Sequence, residues 1–334
     1  MERADEKEEI LEYYEKNHWK ITLKRMLKDW RIYIMLIPLI FVFICWRYIP
    51  MYGLVIAFKD YQADVGILNS NFIGLAGFQA VTSDPMFWRA FRNTFMISFY
   101  GLLFGFPMPI ILALLFSEVK NQLYRSILQI CSYLPKFVSL VIVTTLVKLL
   151  TESSAQGFEG GIITILLTNL HIIPEGAKLL GEPQYFRTIY QISGIWEAAG
   201  YGSIVYFAAI LSISPTSYEA ARMDGANKMA QIKYVTFPGI ASTLTIMLIL
   251  DIGKLLTVGY EKVYLLQSRD IYETADIVAT YVMRYSGLST GATVDGILSQ
   301  AISASADLLN SIIAMLLVIG SNMISRKVSD TSLY

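Results

Sequence analysis

SYEAARMDGANKMAQIKYVTFP, residues 217–238, is a polar stretch set between two long apolar runs, and its reading decides the fold. Pro215 with Ser214 and Ser217 supplies a helix start, with serine at the cap and proline at the first helical position. On that helix Ala220, Ala221, Asp224 and Gly225 fall on one side, at spacings i, i+1, i+4 and i+5. Side chains this small let another backbone approach closely. Gly225 permits a left-handed cap, so two short helices meeting at an angle are expected. The second would run from about 226 to 236, with Pro238 opening the next apolar run. The alternative is an amphipathic linker whose glycine and proline are ordinary punctuation.

The surrounding composition sets the class. The chain has 334 residues, 54% of them hydrophobic, and zero net charge. Mean hydropathy is positive, which is too apolar for a soluble domain. Zero net charge argues against nucleic acid as a partner. Cys45 and Cys131 both lie in apolar runs and read as buried hydrophobes rather than a disulfide or a metal pair. His18 and His171 have no ligand-spaced neighbours, so no metal site is expected. The first thirty residues are charged, and no cleavable signal peptide is expected.

Crossing a bilayer takes roughly twenty apolar residues. Six stretches meet that length, at about 32–49, 93–117, 127–150, 188–213, 239–260 and 303–324. The expected fold is therefore an all-α integral membrane protein with six transmembrane helices. In the second stretch Gly101 and Gly105 suit a close helix crossing, while Pro107 and Pro109 predict a kink. The third contains Pro135 and Lys136.

Residues 1–31 form an amino-terminal segment of their own. Trp19, Leu23, Met26, Leu27 and Trp30 make an apolar stripe beside Lys20, Lys24 and Lys28. Such a helix lies either on anionic lipid head groups or against the protein's own inner face. Lysine and arginine cluster before the first span, between the second and third, in the 217–238 loop and after the sixth. With six spans these all fall on one side, which places both termini and the loop in the cytoplasm. The expected domains are then 1–31, a first span with its outer loop at 32–90, a core at 91–324 holding the loop 214–238, and a cytoplasmic tail at 325–334. The outer connections, about 59–92, 151–187 and 261–302, are long enough to cap the body and receive an external partner.

Glu219-Ala220-Ala221, then Gly225, Val235, Phe237 and Pro238, resembles the EAA motif of ABC importer permeases. That family carries isoleucine where Val235 stands and leucine where Phe237 stands. Four further stretches resemble its carbohydrate-uptake, oligosaccharide branch: RYIPMYGLVIAFKDY (47–61), GYEKVYLLQ (259–267), YETADIVATYVMR (272–284) and the terminal SRKVSDTSLY. Departures are Tyr334, where members often end in tryptophan, and Glu197, near which they often carry lysine. The resemblance implies the type I importer fold. It also implies a second permease forming a heterodimer, an ATPase dimer, an extracellular lipid-anchored solute-binding protein, an oligosaccharide substrate and a Gram-positive cell membrane. The loop would then be the coupling helices that dock on the ATPase, with Glu219, Ala220, Ala221, Asp224, Gly225 and Pro238 as its working residues.

No phosphate-binding GxxxxGK[ST] loop is present, so ATP and Mg would sit on the partner ATPase and this chain is expected to bind no cofactor and catalyse no reaction. Glu219, near a helix start, is suited to pair with a basic residue of the ATPase. Asp251 and Lys254 stand three apart inside an apolar run. They either line a sugar path or neutralise each other as a structural pair. Trp196, Glu197, Tyr201 and Tyr206 are further path candidates, because aromatic platforms beside carboxylates suit sugars; packing is the competing account for each. Two rival functions remain open at this level. A secondary transporter or channel working without ATP would show internal repeats and broken midplane helices, and no clear repeat is seen. A membrane scaffold would move nothing.

Overall fold

Proline at the first helical position opens three helices, where its missing N–H costs nothing: Pro85, Pro183 and Pro215. The computed structural model describes residues 28–153, 160–287 and 298–328, together with Trp19, Lys20, Thr22 and Met26. Leu23, Lys24 and Leu27 of the expected surface stripe, and the last six residues, lie outside the described residues. The chain divides into two units, 1–55 and 56–334.

In the first unit the leading part of α1 (Trp30–Phe58) is apolar from Ile32 to Phe43 and buries none of its side chains. Pro38 sits inside it, and a π-helical turn, Ile44–Tyr48, precedes Pro50. Such turns accommodate backbone groups that a proline would leave unpaired.

The second unit begins at Ile56, upstream of the boundary expected at residue 91. A two-stranded antiparallel hairpin (Lys59–Asp60 with Asn71–Phe72) leads to a short helix, Ala76–Ser83, and then to α2 (Pro85–Glu118), 34 residues long. The kink expected at Pro107 and Pro109 is absent as a break. A π-turn at Gly101–Gly105 absorbs the proline instead, and the Phe106 N–H reaches back to the Gly101 carbonyl at 3.2 Å.

The third expected span is not continuous. It consists of α3 (Gln122–Tyr133), a tight turn at Leu134–Phe137, and α4 (Leu140–Leu150), with a bend of 98° between the two arms. Leu134 stays helical before Pro135, and the break falls after the turn at Val138, which is extended (ψ 139°). α5 (Pro183–Leu211) is unbroken and 29 residues long, starting five residues before its expected position. Any side chain at Gly200 would strike the Ser132 carbonyl, so glycine sets the close approach of α5 to α3.

The loop helices α6 (Pro215–Met223) and α7 (Lys228–Gly239) follow, and then α8 (Ala241–Gly253) after a 68° bend. Pro238 therefore lies inside the end of α7, and the break falls at Ile240 (φ −105°, ψ 8°). The fifth span also stops short, at Gly253. The chain turns through Lys254 and restarts as α9 (Tyr260–Leu266). α10 (Val278–Tyr285) and α11 (Ser299–Val328) complete the unit, with α11 running on past Arg326 and Lys327 into the expected tail. Among the described residues four helices are long and apolar enough to cross a membrane, or up to six crossings if each bent pair counts as one.

The core is built where the sequence suggested external caps. Ile271, Ala275, Ile277 and Val263 pack completely against Ile97 and Phe186, while Val278 and Tyr281 pack against Val81, Phe87 and Ala306. Residues 260–285 thus fill the body of the unit rather than capping it.

Candidate functional site

The turn of the 214–239 loop is closed by its own backbone. The Ala226 N–H donates to the Ala221 carbonyl at 2.9 Å and the Gly225 N–H to that of Arg222 at 3.0 Å, a complete Schellman cap. Gly225 sits at φ +81°, the left-handed conformation the cap needs. The Asn227 carboxamide oxygen accepts the Ala230 N–H at 2.9 Å and starts α7. The Ser214 hydroxyl makes no such cap and meets Thr216 instead, at 2.7 Å. Tyr218 hydroxyl to Thr236 Oγ1 (3.0 Å) and Gln231 Nε2 to the Ala226 carbonyl (2.9 Å) brace the two helices, and Lys228 Nζ meets Glu118 Oε2 of α2 at 2.6 Å.

Braced in this way, the loop presents an unusual surface. Glu219, Ala220, Asp224, Gly225 and Pro238 are exposed and Ala221 half-buried. Three large apolar side chains also stand open: Met223 at 88%, Met229 at 73% and Tyr234 at 69% exposure. Glu219, with no ion-pair partner among the described residues, borders a cavity of about 300 Å³ together with Arg222, Lys228 and Gln231.

The path candidates separate. Glu197, the middle residue of α5, joins two lysines far off in sequence: Lys136 Nζ at 3.2 Å from Oε1 and Lys262 Nζ at 3.4 Å from Oε2. Lys136 comes from the tight turn that breaks the third span, and Lys262 from α9. Lys262 is nearly buried and lies 5.3 Å from the Tyr190 ring centroid. Trp196 and Tyr201 are about half exposed, and Tyr201 meets Phe137 edge-on at 5.8 Å. Tyr206 is different. At 2% exposure it sits among Ile110, Ala113, Ile210 and Ile240, edge-on to Phe106, and serves packing rather than lining. Asp251 and Lys254 approach each other at 3.4 Å, in an open pair.

Sequence reasoning missed the two lysines as partners of Glu197. The available signal was three ionisable residues in apolar surroundings, each needing a counter-charge. It also missed the network under 272–285. Asp276, fully buried, takes both Arg284 nitrogens at 2.7 Å and the Thr280 hydroxyl at 2.8 Å. Asn93 donates to the Glu273 and Asp276 carbonyls and accepts from Arg187 Nη2. Asp84 caps α2 through the Met86 N–H and accepts the Tyr281 hydroxyl at 2.8 Å. Burial, then the hydrogen bond to Asp84, raises the Tyr281 phenol above its ordinary range.

Comparison with known proteins places this geometry. Residues 105–260 match the family described as binding-protein-dependent transport system inner membrane component. The chain is 35% identical to protein LplB of Bacillus subtilis (strain 168) over 95% of its own length and 94% of that protein's. It is also 34% identical to the polygalacturonan/rhamnogalacturonan transport system permease protein YteP of the same organism, over 96% and 95%. The chain belongs to this permease family. A crystal structure of a bacterial ABC transporter that imports the acidic polysaccharide alginate contains a similar subunit, 37% identical, with a TM-score of 0.79 over 92% of this chain and 98% of that one. A second structure of the alginate transporter, bound to an alginate pentasaccharide-loaded periplasmic protein, matches equally well, over 93% and 99%. This permease is accordingly a multi-pass membrane subunit of a sugar or polysaccharide importer with the helical ABC-importer fold.

Proposed function

We propose that the permease carries an oligosaccharide into the cell, driven by a separate ATPase dimer that docks on α6 and α7. The observation behind this reading is the braced loop, which offers Glu219 and the exposed side chains of Met223, Met229 and Tyr234 to a partner. Exposed apolar side chains grouped on an otherwise polar loop mark an interaction surface. Backbone capping at Gly225 holds the two helices at a fixed angle, so force applied there reaches α5 and α8 without loss in a slack linker.

ATP and Mg belong to the ATPase in this scheme, and the chain holds no cofactor of its own. A second permease completes a heterodimer across the exposed membrane faces, and a lipid-anchored solute-binding protein delivers the sugar from outside. Both termini and the loop lie in the cytoplasm, on the distribution of lysine and arginine, and the resemblance to the oligosaccharide branch supports a Gram-positive cell membrane. The oligosaccharide assignment draws on the relatives: one serves polygalacturonan and rhamnogalacturonan, another arabinooligosaccharides at 24% identity over 54% of this chain.

Glu219→Lys tests the coupling role. The variant complex should assemble and insert at normal yield while ATP hydrolysis no longer responds to the sugar-loaded binding protein. Normal uptake by that variant removes Glu219 from the mechanism.

A further inference from the structure

A structural ion pair in the middle of a span needs one cation for one carboxylate, and Glu197 has two. Lys262 already satisfies the structural requirement. It is nearly buried, touches Glu197 Oε2 and lies near the Tyr190 ring. Lys136 adds a positive charge that nothing else within ion-pair distance balances among the described residues, and its side chain is 43% exposed. An uncompensated charge at mid-span depth is costly and is retained where it meets something that passes.

The surroundings suit a sugar ring. Tyr201, one helical turn on from Glu197, meets Phe137 beside Lys136 and offers an apolar ring face next to a charged edge. α9 leads from this cluster to a cavity beyond its far end. Five residues on from Lys262, Gln267 Oε1 and Ser268 Oγ are buried without a hydrogen-bond partner among the described residues. They border a cavity of about 420 Å³ lined also by Lys148, Lys178 and one acid, Glu152. Lys136, Lys148, Lys178 and Lys262 stand against Glu152, Glu197 and the Glu261 of α9 itself, an excess of one cation around this helix and the cavity beyond it.

We propose that Lys136, Glu197 and Lys262 form a subsite for the carboxylate of an acidic sugar, a uronate unit of the transported oligosaccharide. Lys136 exchanges Glu197 Oε1 for the sugar carboxylate, Lys262 stays on Glu197 and keeps its charge neutralised, and the ring rests on Tyr201. Glu197 acts as a placeholder that holds Lys136 in position and gives it up when substrate arrives. This inference rests on the importer reading and names its substrate class.

The test uses the full transporter with its binding protein in proteoliposomes, comparing ATP-dependent uptake of tetragalacturonate with that of its methyl ester, which lacks the charges. Lys136→Gln should lower the ratio of charged to esterified uptake about tenfold, the worth of one charge-assisted hydrogen bond. Lys136→Arg should restore most of it, and Glu197→Gln, which removes the competing carboxylate, should raise the ratio. A ratio that neither Lys136→Gln nor Glu197→Gln moves overturns the subsite. A wild-type complex that imports only the ester also overturns it while leaving the importer reading intact. Absence of ATP-driven uptake of any oligosaccharide removes the importer reading itself.

Discussion

The loop at 214–239 and the segment at 260–285 are both helix–turn–helix stretches of moderate polarity, and the structure uses them in opposite ways. The loop buries little. Its helices are fixed by backbone capping and a few polar braces, and its largest side chains face outward. The later segment buries nearly all of one face, with Ile271, Ala275 and Ile277 wholly withdrawn, and it also sinks a charged pair, Asp276 with Arg284. One stretch is shaped to be gripped by another molecule; the other is the material that holds the helices together. Substitutions in the first should therefore impair coupling with little cost in folding, and substitutions in the second should impair folding.

The sharpest way to break this contrast is Asp276→Ala. It strands the Arg284 guanidinium in a buried setting, and losing one partner of such a pair costs about 3–5 kcal/mol. Thermal unfolding of the purified complex, or its yield, should show the loss; a melting point within a degree of wild type would mean the segment carries no structural weight. Gly225→Ala comes next. It places a Cβ at φ +81°, at a cost of about 1–2 kcal/mol confined to the loop. The expected result is a small fall in melting temperature with a larger fall in sugar-stimulated ATP hydrolysis, and the reverse proportion would contradict the division of labour.

The smallest effect concerns pH. Burial raises the Tyr281 phenol, so the folded state favours the neutral form. That stability is fully present below the unfolded phenol's pKa of about 10 and is lost as pH rises beyond it toward the folded value. Tyr281→Phe should flatten the alkaline limb of the stability profile while also losing the hydrogen bond to Asp84, about 1 kcal/mol at neutral pH. An unchanged alkaline limb would place the titration elsewhere.

Local chemistry was legible from the sequence alone. Runs of apolar residues announced the spans, because a bilayer sets a length that composition either meets or does not. Pro215 and Gly225 announced the first helix and the turn, because a proline at the first helical position and a positive φ are local matters, whereas the side-chain cap expected of Ser214 did not form. Asp251 and Lys254 announced their meeting for the same reason, at three residues apart. Only tertiary structure decided what is assembled across distance. Glu197 meets Lys136 and Lys262 over separations of 61 and 65 residues, and Asn93 reaches the 276 carbonyl over 183. No periodicity records such pairs, since each is set by how broken and unbroken helices cross. The same holds for the fate of the polar stretches: whether a moderately polar helix is buried or displayed depends on which neighbours supply its counter-charges, and those neighbours are chosen by the fold.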